Sequence, residues 1–113
     1  MIIQRHQVVA ALARHVGREN GVRIQDLVRE ITGEPQRDEH HERRVRAIVA
    51  ELRGEGEAIC AHPSVGYHVA ASPEELDECC RYLRSRWIGT AVLEARLRKI
   101  ALPELLGQLR LKT

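Results

Sequence analysis

The chain has 113 residues, 43% of them hydrophobic and 30% charged, with one Trp, two Tyr, no Phe and a net charge of +2. That length suits one domain that buries an adequate core without disulfides or metals, and the scarcity of aromatics leaves the core to Leu, Val, Ile and Ala, which favours helices. The net charge defines no partner, but its distribution is uneven: residues 1–80 carry ten Arg against fourteen Asp and Glu, and residues 81–113 carry eight Lys and Arg against two Glu. Arg5, His6 and Arg14 interrupt the first stretch. No apolar run approaches the roughly 20 residues that a membrane span requires, so neither a signal peptide nor an anchor is expected. Cys60, Cys79 and Cys80 are odd in number and lack CxxC spacing, which reads as reduced thiols in a cytoplasmic protein.

In chain order, Val8, Val9, Leu12 and Val16 predict a first amphipathic helix over residues 4–16, ending near Gly17, with Asn20-Gly21 as a turn. Val22 and Ile24 are candidates for a short strand that pairs with a later hairpin. Ile24, Leu27, Val28 and Ile31 then supply the stripe of a second short helix, stopped by Gly33 and Pro35. Next comes a connection, TGEPQRD, followed by Asp38 as N-cap of a central helix, with Glu39 and Glu42 suited to the positive end of its dipole. Val45, Ile48, Val49 and Leu52 recur three and four apart, so that helix is apolar on one face and carries Arg43, Arg46 and Arg53 elsewhere. Gly54 and Gly56 end the pattern. Two short runs, EAICA and GYHVA, flank His62, Pro63, Ser64 and Val65 and predict a small β-hairpin.

Ser72-Pro73-Glu74-Glu75 is the sharpest local signal. Ser caps, Pro fits the first helical position, and Glu75 can bond back to the cap. Leu76, Cys80, Leu83 and Trp87 follow at spacings of four, three and four, a two-heptad seam that continues less regularly through Ala91, Val92, Leu93, Leu97 and Ile100. If Gly89 only weakens this helix, residues 73–100 span about 42 Å. Part of such a helix would project beyond the preceding domain and need a partner, most economically the same helix of a second subunit, unless the chain bends at Gly89 and folds back. Pro103 is expected to end it, leaving LPELLGQLRLKT as a last amphipathic turn or a disordered tail.

The string VRAIVAELRGEG, then Ile59 and SVGYHVA, resembles the recognition helix and wing of the biotin-repressor type of winged helix-turn-helix domain, a pattern common in small phage and prophage proteins. The resemblance covers roughly residues 8–70 and rests on the order Val45, Arg46, Val49, Leu52, Arg53, Gly56, Gly66-Tyr67. It implies a mostly α fold with a small β-hairpin wing: a winged helix domain over residues 1–71, then a C-terminal helical dimerisation segment over residues 72–113. Side chains near the start of the recognition helix would enter the major groove, which maps onto His41, Arg43, Arg44 and Ala47, with His40 beside them and Arg46 and Arg53 toward phosphates or solvent. Arg suits this because its planar fork takes both acceptors of guanine, and a single charged contact suffices for phosphate.

Two departures from the family stand out. The TGEPQRD connection exceeds the three or four residues of a standard turn between the two helices, and could itself reach a phosphate through Arg37. The wing tip offers His62, Ser64 and backbone amides where Lys or Arg is usual; His62 and His68, read as surface residues, would add attraction only at low pH. The expected DNA contacts are thus Arg37, His40, His41, Arg43, Arg44, Arg46, Ala47, His62 and Ser64, and the expected dimer contacts Leu76, Cys80, Leu83, Trp87 and Ala91.

Six His and three Cys show no paired ligand spacing, so no metal is expected; no Gly-rich phosphate loop or nucleophile elbow appears, so neither a cofactor nor an enzyme is. The basic C-terminal segment, with Arg81, Arg84, Arg86, Arg96, Arg98 and Lys99, reads first as the solvated face of a dimerisation helix, and alternatively as extra DNA footprint or a surface for an acidic protein. The expectation is a dimeric duplex-DNA-binding protein acting in phage-type transcription control or replication. Its rival is an interaction module, a small inhibitor or adaptor that occupies another phage or host protein on a scaffold that no longer binds DNA. The rival draws on the acidic balance of residues 1–80, the uncharged wing tip and the long connection. A third reading, a purely structural oligomer built on the C-terminal helix, predicts that truncation after Ser72 leaves no folded domain.

Overall fold

The computed structural model describes residues 1–110. The fold is mostly helical with a two-stranded antiparallel hairpin and a long C-terminal helix, the class expected: α1 Arg5–Leu12, α2 Ile24–Thr32, α3 Glu39–Gly54, β1 Ile59–His62, β2 Gly66–Val69, α4 Pro73–Arg98 and α5 Leu102–Gln108, with a 3₁₀ turn at Arg18–Asn20. The chain divides into two compact units, Met1–Cys79 and the remainder from Cys80 on. The first unit runs past the boundary read at Ser72 because the start of α4 is tied into it. Glu75 accepts from the backbone N–H of Ala71 and of Arg18, and Glu78 pairs with Arg18. Ser72 caps α4 as expected, through the Glu75 amide; Glu75 reaches one residue further back than a capping box requires.

One apolar core holds the first unit together. Ile3, Val8 and Leu12, then Leu27 and Val28 of α2, and Val45, Ile48, Val49 and Leu52 of α3 are all buried in it. α1 is shorter and turned differently from the expectation. It stops at Leu12, so its inward face is Val8, Ala11 and Leu12, while Val9 is exposed. Val16, also exposed, lies beyond the helix and bridges to Val69 in parallel; the Gly17 amide donates to Val69 O at 2.8 Å. Val22 does pair with the hairpin, through two backbone bonds to Tyr67 of 2.8 and 2.7 Å, but Ile24 already starts α2. β2 is therefore held on one side by β1, in the register Ile59 to Val69, and on the other by these two bridges.

The hairpin sits close against the segment before α2, closely enough to exclude side chains. A Cβ on Gly66, whose φ is +88°, would lie 2.4 Å from Val22 O, and one on Gly21 would lie 2.3 Å from Val65 O. α3 ends at Gly54, where the sequence places its stop. Gly56, at φ +92°, takes the left-handed position, with Gly56 N donating to Arg53 O and Glu57 N to Leu52 O, both at 3.0 Å. This double bond pattern satisfies carbonyls that the helix end would otherwise leave open.

The second unit is a helical hairpin. α4 passes through Gly89 without stopping and ends at Arg98, where Lys99 adopts a left-handed φ of 57° and Ile100 N donates to Ala95 O at 3.0 Å. The turn lies at Lys99 and not at Gly89 or Pro103. Pro103 instead opens α5, where its missing N–H costs nothing. Leu105 of α5 packs with Ala91 and Ala95 of α4, flanked by Ile100 and Leu102. Ala91, expected at a dimer seam, is therefore covered by its own chain. The tail reading holds as a helix as far as Gln108, and its last three residues lie outside the described ones.

Candidate nucleic-acid interface

α3 builds the site. Asp38 caps it by accepting from the His40 and His41 amides at 2.9 and 3.2 Å, which holds its carboxylate below the usual range. The buried stripe fixes the rotation of the helix. Arg43, Arg44, Arg46, Ala47 and His40 are consequently exposed, whereas His41 turns partly inward, its ring 3.5 Å from Asp38. Among them, Arg43 and Ala47 stand opposite the core, one helical turn apart.

Glu42 stands in the first turn of α3, as expected, but is also buried. It lies on the apolar stripe, three before Val45, and is only 1% exposed. Arg37 neutralises it through a two-pronged contact, Nε to Oε2 at 3.0 Å and a terminal nitrogen to Oε1 at 2.8 Å, and Arg46 approaches the same carboxylate at 3.8 Å. The Arg37 guanidinium holds the Glu42 carboxyl below its ordinary value, and Glu42 in turn raises that of Arg37. Arg37 is thus a clamp across the long connection before α3, and Arg46 shares its counter-ion. Of the expected arginines, Arg43 keeps no carboxylate partner among the described residues, and Arg44 donates only to the backbone O of Ile3, at 3.2 Å.

That last contact brings in residues absent from the expected set. Ile3 is buried, but Met1 and Ile2 are exposed, and with His40, His41, Arg43, Arg44 and Ala47 they line a groove of about 330 Å³. The signal in the sequence is slight: three apolar residues ahead of the first helix.

At the hairpin tip His62 is engaged by Ser64, whose amide and hydroxyl lie 3.1 and 2.7 Å from its Nδ1. The tip also has a cation that its own sequence lacks. Arg23, exposed, donates to Pro63 O at 3.1 Å and so carries positive charge from the start of α2 to the turn. His68 is not a surface residue. It is 5% exposed, opposite Cys60 in the hairpin, with Nε2 3.8 Å from Glu75 and Nδ1 buried without a hydrogen bond. Burial, with Cys79 alongside, pushes the Cys60 thiol up to about 12, so it is inert as a nucleophile at neutral pH.

No group of three or more His, Cys, Asp or Glu side chains among the described residues is arranged to hold a metal ion. No helix among them is long and apolar enough to cross a membrane. Of the expected dimer contacts, Leu76, Leu83 and Trp87 are 40, 44 and 39% exposed and Cys80 is exposed too. Comparison with family models, curated proteins and solved structures finds no match.

Proposed function

We propose that the protein is a cytoplasmic, non-enzymatic duplex-DNA-binding protein that works as a dimer, in transcription control or replication of the phage type. The reading is carried by one observation: α3 is buried on one side and presents His40, Arg43, Arg44 and Ala47 on the other, next to a hairpin whose tip is reached by Arg23. Three helices followed by a hairpin is the element order of the winged helix-turn-helix domain that the sequence resembles. In that arrangement Arg43 suits a guanine edge, Ala47 a thymine methyl, and Arg44 and Arg23 the flanking phosphates. Arg37 and Arg46 drop out of the direct contact set because Glu42 occupies them. Binding of a random-sequence duplex should weaken steeply as salt rises, and Arg43→Ala with Arg44→Ala should both weaken it and reduce the salt slope by about one to two. Affinity unchanged by this double substitution would overturn the assignment.

The interaction-module reading draws on a separate observation. Ile2 is 75% exposed and lines the α3 groove together with Met1, an apolar edge that a protein segment would cover better than a phosphate backbone. Capture of a protein through this groove, with salt-insensitive affinity lost in Ile2→Asp and retained in Arg43→Ala, would support it.

A further inference from the structure

The outer face of α3 borders an apolar edge that a purely charged ligand would leave uncovered. Ile2 is 75% exposed and, with Met1 and Ala47, lines one groove whose polar side is formed by His40, Arg43 and Arg44. The edge is held in place from behind. Ile3 is buried in the core of the first unit, its backbone O accepts from Arg44 Nε at 3.2 Å, and the Gln4 amide donates to Gln7 Oε1 at 2.7 Å as α1 begins. Ile2 is therefore anchored one residue from a buried side chain and faces the same groove as Arg43 and Ala47.

Such a groove suits a partner that is anionic and apolar at once. None of its lining residues is acidic, and Met1 and Ile2 stand out from it with most of their surface exposed. An anchoring side chain of a protein partner binds best in an enclosed, fully desolvated pocket, whereas a projecting edge of this kind suits small apolar groups displayed in a row. In duplex DNA the apolar group at the edge of the major groove is the thymine methyl, and it lies beside the O6 and N7 acceptors that guanine offers to an arginine fork. We propose that Ile2 is a specificity-determining residue: together with Ala47 it packs on the methyls of thymines next to the guanine read by Arg43. This rests on the duplex-DNA reading above and adds the base that the edge selects. Arg44, which ties that edge to α3 through Nε, keeps its terminal nitrogens for an adjacent phosphate.

The test uses duplexes that the full chain retains from a random pool, resynthesised with uracil in place of every thymine. That exchange removes the methyl and keeps the charge and the base pairing. Wild type should prefer the thymine duplex by about fourfold for each methyl it covers, the contribution of one buried methyl group. Ile2→Ser, checked for fold by circular dichroism, should weaken binding of the thymine duplex, leave the uracil duplex unchanged and close most of the gap. Arg43→Ala should weaken both alike. Equal, salt-sensitive binding of the two duplexes overturns the inference and leaves the DNA reading standing. A thymine preference that Ile2→Ser leaves intact overturns the assignment to Ile2. A pool from which no duplex is retained overturns this inference together with the DNA reading, and leaves the groove to a protein segment.

Discussion

Replacing Glu42 with Gln tests how the central helix is held. The side chain keeps its size, so no cavity opens, but the charge that binds Arg37 through 3.0 and 2.8 Å contacts and attracts Arg46 is gone. Hydrogen bonds to a charged group contribute about 1.5–3 kcal/mol each, and solvent around the outer half of Arg37 screens the pair, so a loss of about 1–2 kcal/mol in total is the consistent estimate. For a folded unit of this size that lowers the melting temperature by about 5–10 °C. The loss must also depend on pH in a defined direction. Arg37 holds the Glu42 carboxyl below its ordinary 4.5, so the ionised form stabilises the fold at neutral pH, and that contribution disappears as pH falls through the lower folded value. Thermal melts of wild type and Glu42→Gln should therefore differ most near neutrality and converge in acid, below about pH 4.5. Equal melting temperatures at pH 7, or a gap that persists unchanged in acid, would refute the view that this buried carboxylate works as an ionised clamp.

Two substitutions probe the backbone. Gly66→Ala should destabilise the first unit by about 2 kcal/mol or more, because its φ of +88° disfavours any side chain and the new Cβ would meet Val22 O at 2.4 Å; amide exchange should show the hairpin separating from Val22 first. Lys99→Gly should do the opposite, since a glycine relieves the left-handed strain at φ 57°, raising the stability of the α4 and α5 hairpin by roughly 1 kcal/mol as read by amide exchange at Leu105.

How far the sequence could be read depended on whether a residue's role was local. The Asp38 and Ser72 caps were legible because a cap acts within three residues, and Val45, Ile48, Val49 and Leu52 because helical spacing alone aligns them. Glu42 was on that same stripe, and its spacing pointed inward, but a carboxylate in the core makes sense only once the connection is seen to fold Arg37 back onto it. Nothing local marks Arg23 as a cation of the hairpin, because forty residues separate it from Pro63. His68 alternates along a strand whose two faces look alike in sequence, and only the packing decides which one is buried. Val9 reads as core by its apolarity, yet a helix of eight residues buries a narrow strip, and Ala11 occupies the place instead. Lys99 ended α4 where Gly89 and Pro103 carried the stronger signals, since α5 packing on Ala91 and Ala95 repays a strained residue that propensity disfavours.

The claim on which the functional account turns is that the outer face of α3 meets duplex DNA. Backbone amide resonances of the full chain, followed while a short random-sequence duplex is added at low salt, test it most directly. The largest shifts are expected at residues 40–47, with a second group at Arg23 and around Ser64, all reversed by added salt. Shifts confined to residues 81–98 would contradict it, as would a spectrum that the duplex leaves unchanged.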